Sequence, residues 1–186
     1  MSTKLKIGLW SVAVLGTVFQ AGHFTEHAIQ AHEWLFTDRT KPWMSDIAMW
    51  LSMHMGATMP VGMELLHLTG NLIFLVTLAA WCILMTPNNL MRKAFLVEAF
   101  HLTEHINLTA TVLLYGKAVG WSTLFGYAPM LFGHDGAVGF RVLWHFGMNL
   151  IPSLLMLVAM LPKSDAQLAA MLGAHVPPCP TCTRKS

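Results

Sequence analysis

Residues 20–27 read QAGHFTEH, and residues 98–105, 78 positions further along the chain, read EAFHLTEH. Two further pairs share this offset: HLTGNLI at 67–73 with HFGMNLI at 145–151, and Trp43 with Trp121. Self-similarity at one fixed period is the signature of an internal repeat, and three separate matches at one offset are hard to obtain by chance. The pattern predicts a tandem duplication, with one copy in residues 1–86 and the second in residues 87–163.

The sequence around these matches is too apolar for a soluble domain. The 186 residues are 55% hydrophobic and 11% charged, whereas an average soluble domain is roughly 25% charged. An intrinsically disordered chain is excluded, because it needs low hydrophobicity and high charge. The net charge of +2, without a basic tract, gives no reason to expect a nucleic-acid partner. The expected partner is a lipid bilayer.

Four apolar stretches are long enough to cross a bilayer, which takes about 20 residues. They cover about residues 7–34, 61–85, 90–115 and 138–161. Each copy of the repeat then holds two spans, so both hairpins insert with the same orientation and are related by a pseudo-two-fold axis along the membrane normal. We predict an all-α integral membrane protein, a bundle of four transmembrane helices built from two tandem parallel two-helix repeats.

The distribution of Lys and Arg predicts the orientation, because positive residues favour the cytoplasmic side. One predicted side carries seven of the eleven: Lys4, Lys6, Arg92, Lys93, Lys163, Arg184 and Lys185. The other side carries four: Arg39, Lys41, Lys117 and Arg141. We therefore expect a multi-pass inner-membrane protein with both termini in the cytoplasm. The first span is too long for the core of a signal peptide, so it is expected to be retained.

Residues 164–186 are predicted to form a cytoplasmic tail that contains a CxxC pair, Cys179 and Cys182. Such a pair can bind a metal or form a disulfide. A single pair on a short Pro-rich tail is equally compatible with a solvated segment of no function.

Six of the ten histidines lie on the matched helices and form a polar stripe. At 100° per residue, His23, Glu26 and His27 share one helix face, and the second copy repeats the pattern. The eight predicted metal ligands are His23, Glu26, His27, His67, His101, Glu104, His105 and His145. Four further residues are predicted to orient or complete the site: Glu64, Asn71, Glu98 and Asn149. All are expected at one level, in the outer half of the membrane.

Ionisable side chains at membrane depth are costly, by at least about 2.5 kcal/mol each on insertion scales. A bound cation offsets this cost, because it neutralises carboxylates and accepts imidazole lone pairs. A lone intramembrane histidine is more often a hydrogen-bond partner between helices. The duplicated His-x-x-Glu-His pattern favours a metal centre instead, with one ion or two. The ligand types favour iron or zinc first, and copper or manganese second.

Several functions fit such a layer. A non-haem centre would carry out redox chemistry on a lipophilic substrate, as a metal-dependent membrane oxidoreductase, or transfer electrons. A membrane cytochrome subunit would bind haem b through axial ligands among His23, His67, His101 and His145. A metal-ion transporter and a structural subunit of a larger membrane complex are further alternatives, and either is compatible with homo-oligomers.

The 14 methionines add a copper hypothesis. Soft ligands concentrate near the predicted outer face: Met44, Met49, Met53, His54, Met55, Met59, Met63 and Met130. Thioethers favour Cu(I), although methionine also fills packing gaps. Residues 45–59 within this region form either an outer interfacial helix or an extension of the second span.

Overall fold

The computed structural model describes residues 1–37, 41–85 and 87–162. Within these ranges the chain is helical and contains no strand, which confirms the all-α prediction. The elements are α1 (Thr3–Phe36), α2 (Asp46–Met55), α3 (Met59–Leu84), α4 (Asn89–Tyr115), a short 3-10 segment (Trp121–Gly126) and α5 (Ala128–Met160). The tail with Cys179 and Cys182 lies outside the described residues.

Local sequence signals account for where these helices begin and end. The Ser45 side chain caps α2 by accepting a hydrogen bond from Ala48 N at 3.2 Å. The Asn88 side chain caps α4 through Leu90 N and Met91 N, both at 3.1 Å. Such caps satisfy backbone donors that the helix itself leaves unpaired. Gly116 ends α4 in the left-handed conformation, with φ 70°.

Three helices of the described part are long and apolar enough to cross a membrane: α1, α3 and α5. Helix α4 has 27 residues, enough in length, but Arg92, Lys93 and the polar residues of its middle lower its apolar character. The membrane prediction is therefore supported for three of the four expected spans.

The four long helices form a closed ring of neighbours. Helix α1 packs against α3 and α5, and α4 packs against the same two helices, while α2 lies on α3. Helices α1 and α4 therefore occupy opposite corners of the bundle, as do α3 and α5. A close approach joins α1 to α3, since a Cβ on Gly16 would lie 1.7 Å from Thr77 Oγ1. In the same contact Trp81 Nε1 donates to Thr17 Oγ1 at 3.0 Å.

One half of the bundle is an apolar core, where α1 and α4 begin and α3 and α5 end. Its buried residues are Ala13, Phe74, Leu78, Ala80, Trp81, Met91, Ala94, Met156 and Ala159. The boundary of this core is polar, because Gln20 Nε2 donates to Asn149 Oδ1 at 3.3 Å and to Ser153 Oγ at 3.2 Å. Beyond Gln20, the buried side chains include histidines, glutamates and asparagines.

The connections at the polar end are more helical than the sequence predicts. Residues 45–59 contain a separate helix, α2, and do not extend the second span. The glycines of residues 116–136 predict a loop, but α5 begins within this stretch, at Ala128, and has a break at Gly133 with φ 72°. Leu124 and Phe125 have φ of 47° and 54°, a left-handed backbone that costs energy in residues other than glycine.

Candidate metal centre

The six predicted histidines converge in one layer of the bundle, and they come from all four long helices. We call this set the histidine layer. Neighbouring ring centroids are 4.7 Å apart for His23 and His27, 5.4 Å for His27 and His67, 5.5 Å for His67 and His105, 5.0 Å for His105 and His145, and 4.8 Å for His101 and His105. Histidines four residues apart on α1 and on α4 lie on one face of their helix, because the helical period is 3.6 residues. These faces meet inside the bundle.

Three of these rings approach most closely as potential ligands. One nitrogen each from His101, His105 and His145 lies within 4.8 Å of the others, and all three side chains are buried. The Nε2 atoms of His101 and His105 are 3.1 Å apart. Nitrogens about 2.1 Å from one zinc ion lie at most about 4.2 Å from each other. A small movement of the rings would therefore place all three nitrogens around one ion.

His67 and His145 are oriented by their own helices. The Nδ1 atom of His67 lies 2.7 Å from the carbonyl oxygen of Met63, and that of His145 lies 2.8 Å from the carbonyl oxygen of Arg141. A carbonyl only accepts, so each Nδ1 carries the proton and each Nε2 keeps a lone pair. Metal-binding histidines in proteins are commonly held in this way.

The predicted partners Asn71 and Asn149 brace the same helices. Asn71 Nδ2 donates to the carbonyl of His67 at 2.8 Å, and Asn149 Nδ2 donates to the carbonyl of His145 at 3.0 Å. The amide oxygen of Asn149 accepts from Gln20. These asparagines therefore contact the histidine layer through the backbone carbonyls of His67 and His145.

The carboxylates of Glu26 and Glu104, which the sequence predicts as ligands, bind backbone N–H groups. Glu26 Oε1 accepts from Ser45 N at 2.8 Å, at the start of α2. Glu104 accepts from Trp121 N and Ser122 N, both at 2.8 Å, at the start of the 3-10 segment. In this arrangement each glutamate anchors the segment that follows its own helix.

The other two predicted carboxylates differ from each other. Glu64 forms an ion pair with Arg141, which joins α3 to α5. Glu98 is fully buried, and its Oε2 lies 3.5 Å from Nδ1 of His101. The carboxylate of Glu98 is thus placed beside the histidine layer, where it can accept a proton from the imidazole or hold the ring in position.

Many polar atoms of this region are buried and have no hydrogen-bond partner among the described residues. They include His23 Nε2, His27 Nε2, Asn71 Oδ1, Glu98 Oε1, Glu98 Oε2, His101 Nδ1, His105 Nδ1 and His145 Nε2. An unpaired buried polar group costs about 1–3 kcal/mol, so native proteins rarely accumulate such groups without a functional reason. The donor set is chemically suited to a transition-metal ion.

Comparison with known proteins places the chain in a family. A family model matches residues 2–173, and its description is "Family of unknown function (DUF6008)". The chain belongs to this family. No curated protein and no solved structure matches the chain. The function of this DUF6008 member therefore has to be inferred from its own residues.

Two residues of this DUF6008 chain adjoin the site without having been predicted there. Arg141 pairs with Glu64, and Oε1 of Gln30 accepts from Nδ1 of His27 at 3.1 Å. The spacing in the sequence indicates that both residues lie near the site, since Arg141 precedes His145 by one helical turn and Gln30 follows His27 by three residues. In the sequence, Arg141 counts only among the positive residues of the predicted outer side.

The remaining described histidines lie outside the layer. His54 contacts the carbonyl of Trp50, and His134 is exposed beside Asp135. Several methionines of the copper hypothesis are also exposed, with accessible fractions of 40% for Met49, 56% for Met53 and 82% for Met130. The thioether site stays a prediction, whereas the imidazoles have a defined arrangement.

Proposed function

We propose that the chain is a four-span membrane metalloprotein, made of two parallel repeats, whose histidine layer holds two transition-metal ions. Helix α4 would be the fourth span. The ionisable residues of its middle, from Glu98 to His105, are buried in the bundle. Apolar residues along its outer face are exposed: Leu96, Phe100, Ile106, Leu113 and Leu114. Such a helix presents hydrocarbon to lipid and keeps the ionisable groups of its middle inside the bundle, as such groups in membranes require.

Equivalent hydrogen bonds support the duplication. The contact of His67 with Met63 recurs 78 residues later in that of His145 with Arg141. The brace from Asn71 recurs in Asn149. The anchor from Glu26 recurs in Glu104, although the N–H groups bound differ slightly in position. Opposite corners for α1 and α4, and for α3 and α5, are what a pseudo-two-fold axis along the bundle would produce.

The observation that carries the two-ion proposal is a triangle of imidazoles that occurs twice. In the second copy, His101, His105 and His145 have centroid separations of 4.8, 5.0 and 6.0 Å. The positions 78 residues earlier are His23, His27 and His67, with separations of 4.7, 5.4 and 6.3 Å. Each triangle contains three imidazoles, the nitrogens of the second lie within 4.8 Å of one another, and the contact of His67 with His105 joins the two.

The donor set indicates which ions to expect. Three imidazoles with room for another ligand suit iron, zinc or copper better than manganese, which prefers oxygen ligands. The carboxylates of Glu26 and Glu104 are engaged by backbone N–H groups, so the imidazoles dominate each triangle. A bound iron or copper ion would supply one-electron chemistry in a layer shielded from water. The protein residues would fix the ligands and keep Glu98 beside them as a proton carrier.

Two alternatives have weaker support. Haem b needs a gap as wide as a macrocycle, whereas imidazoles from four helices here lie within 6.3 Å of their neighbours. Metal transport needs polar residues along the whole bundle, whereas the apolar core fills the half beyond Gln20. The closely spaced imidazoles and the apolar core therefore favour a centre that retains its ions.

Metal analysis together with an absorption spectrum of the purified full-length protein tests the proposal. We expect about two transition-metal ions per chain and no Soret band. A His101→Ala/His23→Ala double variant should lose most of the metal, and His32→Ala, an exposed-face control on α1, should retain it. A protein free of iron, zinc and copper would overturn the metal proposal, and a strong Soret band would replace it with haem.

A further inference from the structure

A cavity of about 390 Å³ lies between α1, α2 and α3, beside the histidine layer. Its inner end contains His23, His27 and His67, Glu26 and Gln30 also line it, and most of its lining surface is apolar. The residues at its rim are apolar and exposed, with accessible fractions of 67% for Val18 and 74% for Ile47. In a membrane-spanning bundle, such an opening faces lipid at the level of α2.

Two glycines create the space. A Cβ added to Gly22 would meet no atom of the described residues within 4 Å. A Cβ added to Gly70 would meet the His23 ring at 3.3 Å, so the ring of His23 lies directly over the backbone of α3. The Phe19 ring extends this wall, because it is nearly parallel to that of His23, with an interplanar angle of 13°.

Helix α2 closes the third side of the cavity and is held firmly in place. Glu26 binds the N–H of Ser45 at one end of the connection. Near the other end, a Cβ on Gly62 would lie 1.7 Å from the carbonyl oxygen of Ser52, so α2 and α3 are in backbone contact. The cavity is therefore enclosed by fixed elements.

The second copy has large side chains where the first copy leaves room. The positions 78 residues after Gly22, Leu66 and Gly70 are Phe100, Trp144 and Met148. The histidines are shared between the copies, but the small residues are not. The space beside His23 is thus a feature of the first copy, since the matching positions of the second copy carry larger side chains.

We propose that this cavity binds a single-tailed lipophilic molecule with an oxygen-bearing head, which enters from the bilayer. The apolar walls fit the tail, and the volume is within the usual range of small-molecule sites, about 300–1,000 Å³. The head is placed against His23 and His27, whose Nε2 atoms are buried and have no hydrogen-bond partner among the described residues. Where its nitrogen holds no ion, an imidazole can donate to, or accept from, an oxygen of a quinone, an alcohol or a carboxylic acid.

Binding at this site follows from the cavity alone. That the bound molecule is the substrate of the metal centre rests on the proposed function. The inner end of the cavity shares all three of its histidines with the first imidazole triangle. A head group there would lie beside an ion bound by that triangle, which is the position that redox chemistry on a lipophile requires.

Binding of two probes to the purified full-length protein in nanodiscs tests the inference: a benzoquinone with a decyl tail and decanoic acid. We expect saturable binding of at least one probe. Gly22→Phe, which copies Phe100, should weaken that binding by about tenfold or more, because the ring occupies the tail site. Leu66→Trp, which copies Trp144, is a second variant that fills the same cavity from α3.

Gly8→Phe is the matched control, since Gly8 is on the same helix, outside the cavity, and its Cβ would also meet no described atom within 4 Å. It should bind the probe as the wild type does. The inference is overturned if neither probe binds, or if both cavity-filling variants bind it with unchanged affinity. Metal content, measured on the same samples, should be equal in wild type and Gly22→Phe. Loss of probe binding with metal retained separates this inference from the proposed metal centre.

Discussion

Nε2 of His101 lies 3.1 Å from Nε2 of His105, one turn further along α4, and both side chains are completely buried. Two buried nitrogens at this distance either share a proton or direct their lone pairs to one cation. The same pair of positions in α1 is occupied by His23 and His27, whose ring centroids have nearly the same separation. Each pair is therefore the base of one triangle of potential ligands.

If the triangles hold one ion each, single substitutions should remove half of the metal. We expect His105→Ala to lower the content from about two ions per chain to about one, because a site that loses one of three protein ligands binds metal far more weakly. His27→Ala should have the same effect, and the double variant should contain almost none. Elemental analysis checks this. If either single variant lost both ions, the two sites would instead form one cooperative cluster.

Glu104→Gln should destabilise the protein and leave its metal content unchanged. The carboxylate accepts two backbone N–H groups, and the amide that replaces it can accept with one oxygen only. The loss of a charge-assisted hydrogen bond to a buried group costs about 1.5–3 kcal/mol. Thermal unfolding in detergent measures the loss, and Glu26→Gln, which affects a single N–H, should cost less. Loss of metal with normal stability would instead identify Glu104 as a ligand.

Removal of Arg141 should be more harmful than removal of the whole ion pair. The side chain of Glu64 is 5% exposed, and that of Arg141 is 33% exposed. Arg141→Met leaves a buried carboxylate without its cation, at a cost of about 2–4 kcal/mol once solvent access to the arginine is considered. In the Glu64→Gln/Arg141→Met double variant, much of this loss should be recovered. A double-mutant cycle on unfolding free energies gives the coupling, and additive effects would contradict it.

Gly16→Ala should separate α1 from α3. Its Cβ would lie 1.7 Å from Thr77 Oγ1, and the threonine has little freedom to move because its hydroxyl donates to the carbonyl of Ile73 at 2.8 Å. Overpacking of this kind costs about 1–3 kcal/mol. Gly8→Ala on the same helix has space and should be neutral or slightly stabilising. Equal melting temperatures for the two variants would show that the helices can move apart freely.

The sequence was sufficient to predict the long helices and the meeting of the six histidines. Helical spacing places His101 and His105 on one face, and the repeat implies the same for His23 and His27. Both inferences depend on regular geometry, in which position along the chain determines direction in space. The histidine layer is therefore the part of the site that the sequence describes well.

The roles of Glu26 and Glu104 could not be predicted in this way. Their partners, Ser45 and Ser122, are 19 and 18 residues away and lie in connecting segments. The path of such a segment depends on packing against other helices, which hydrophobic periodicity does not encode. The early start of α5 was missed for a similar reason, since Gly133 and its neighbours resemble a loop in sequence.

The apolar core at the far end of the bundle limits the routes by which an ion could reach the histidine layer. Phe74, Leu78, Met91 and their neighbours fill that end with predominantly apolar side chains. If the histidine layer holds an ion as proposed, this core favours exchange on the polar side of the bundle. With exchange on one side only, the amount of metal bound in the histidine layer would depend on a single compartment and on the lipid leaflet next to it.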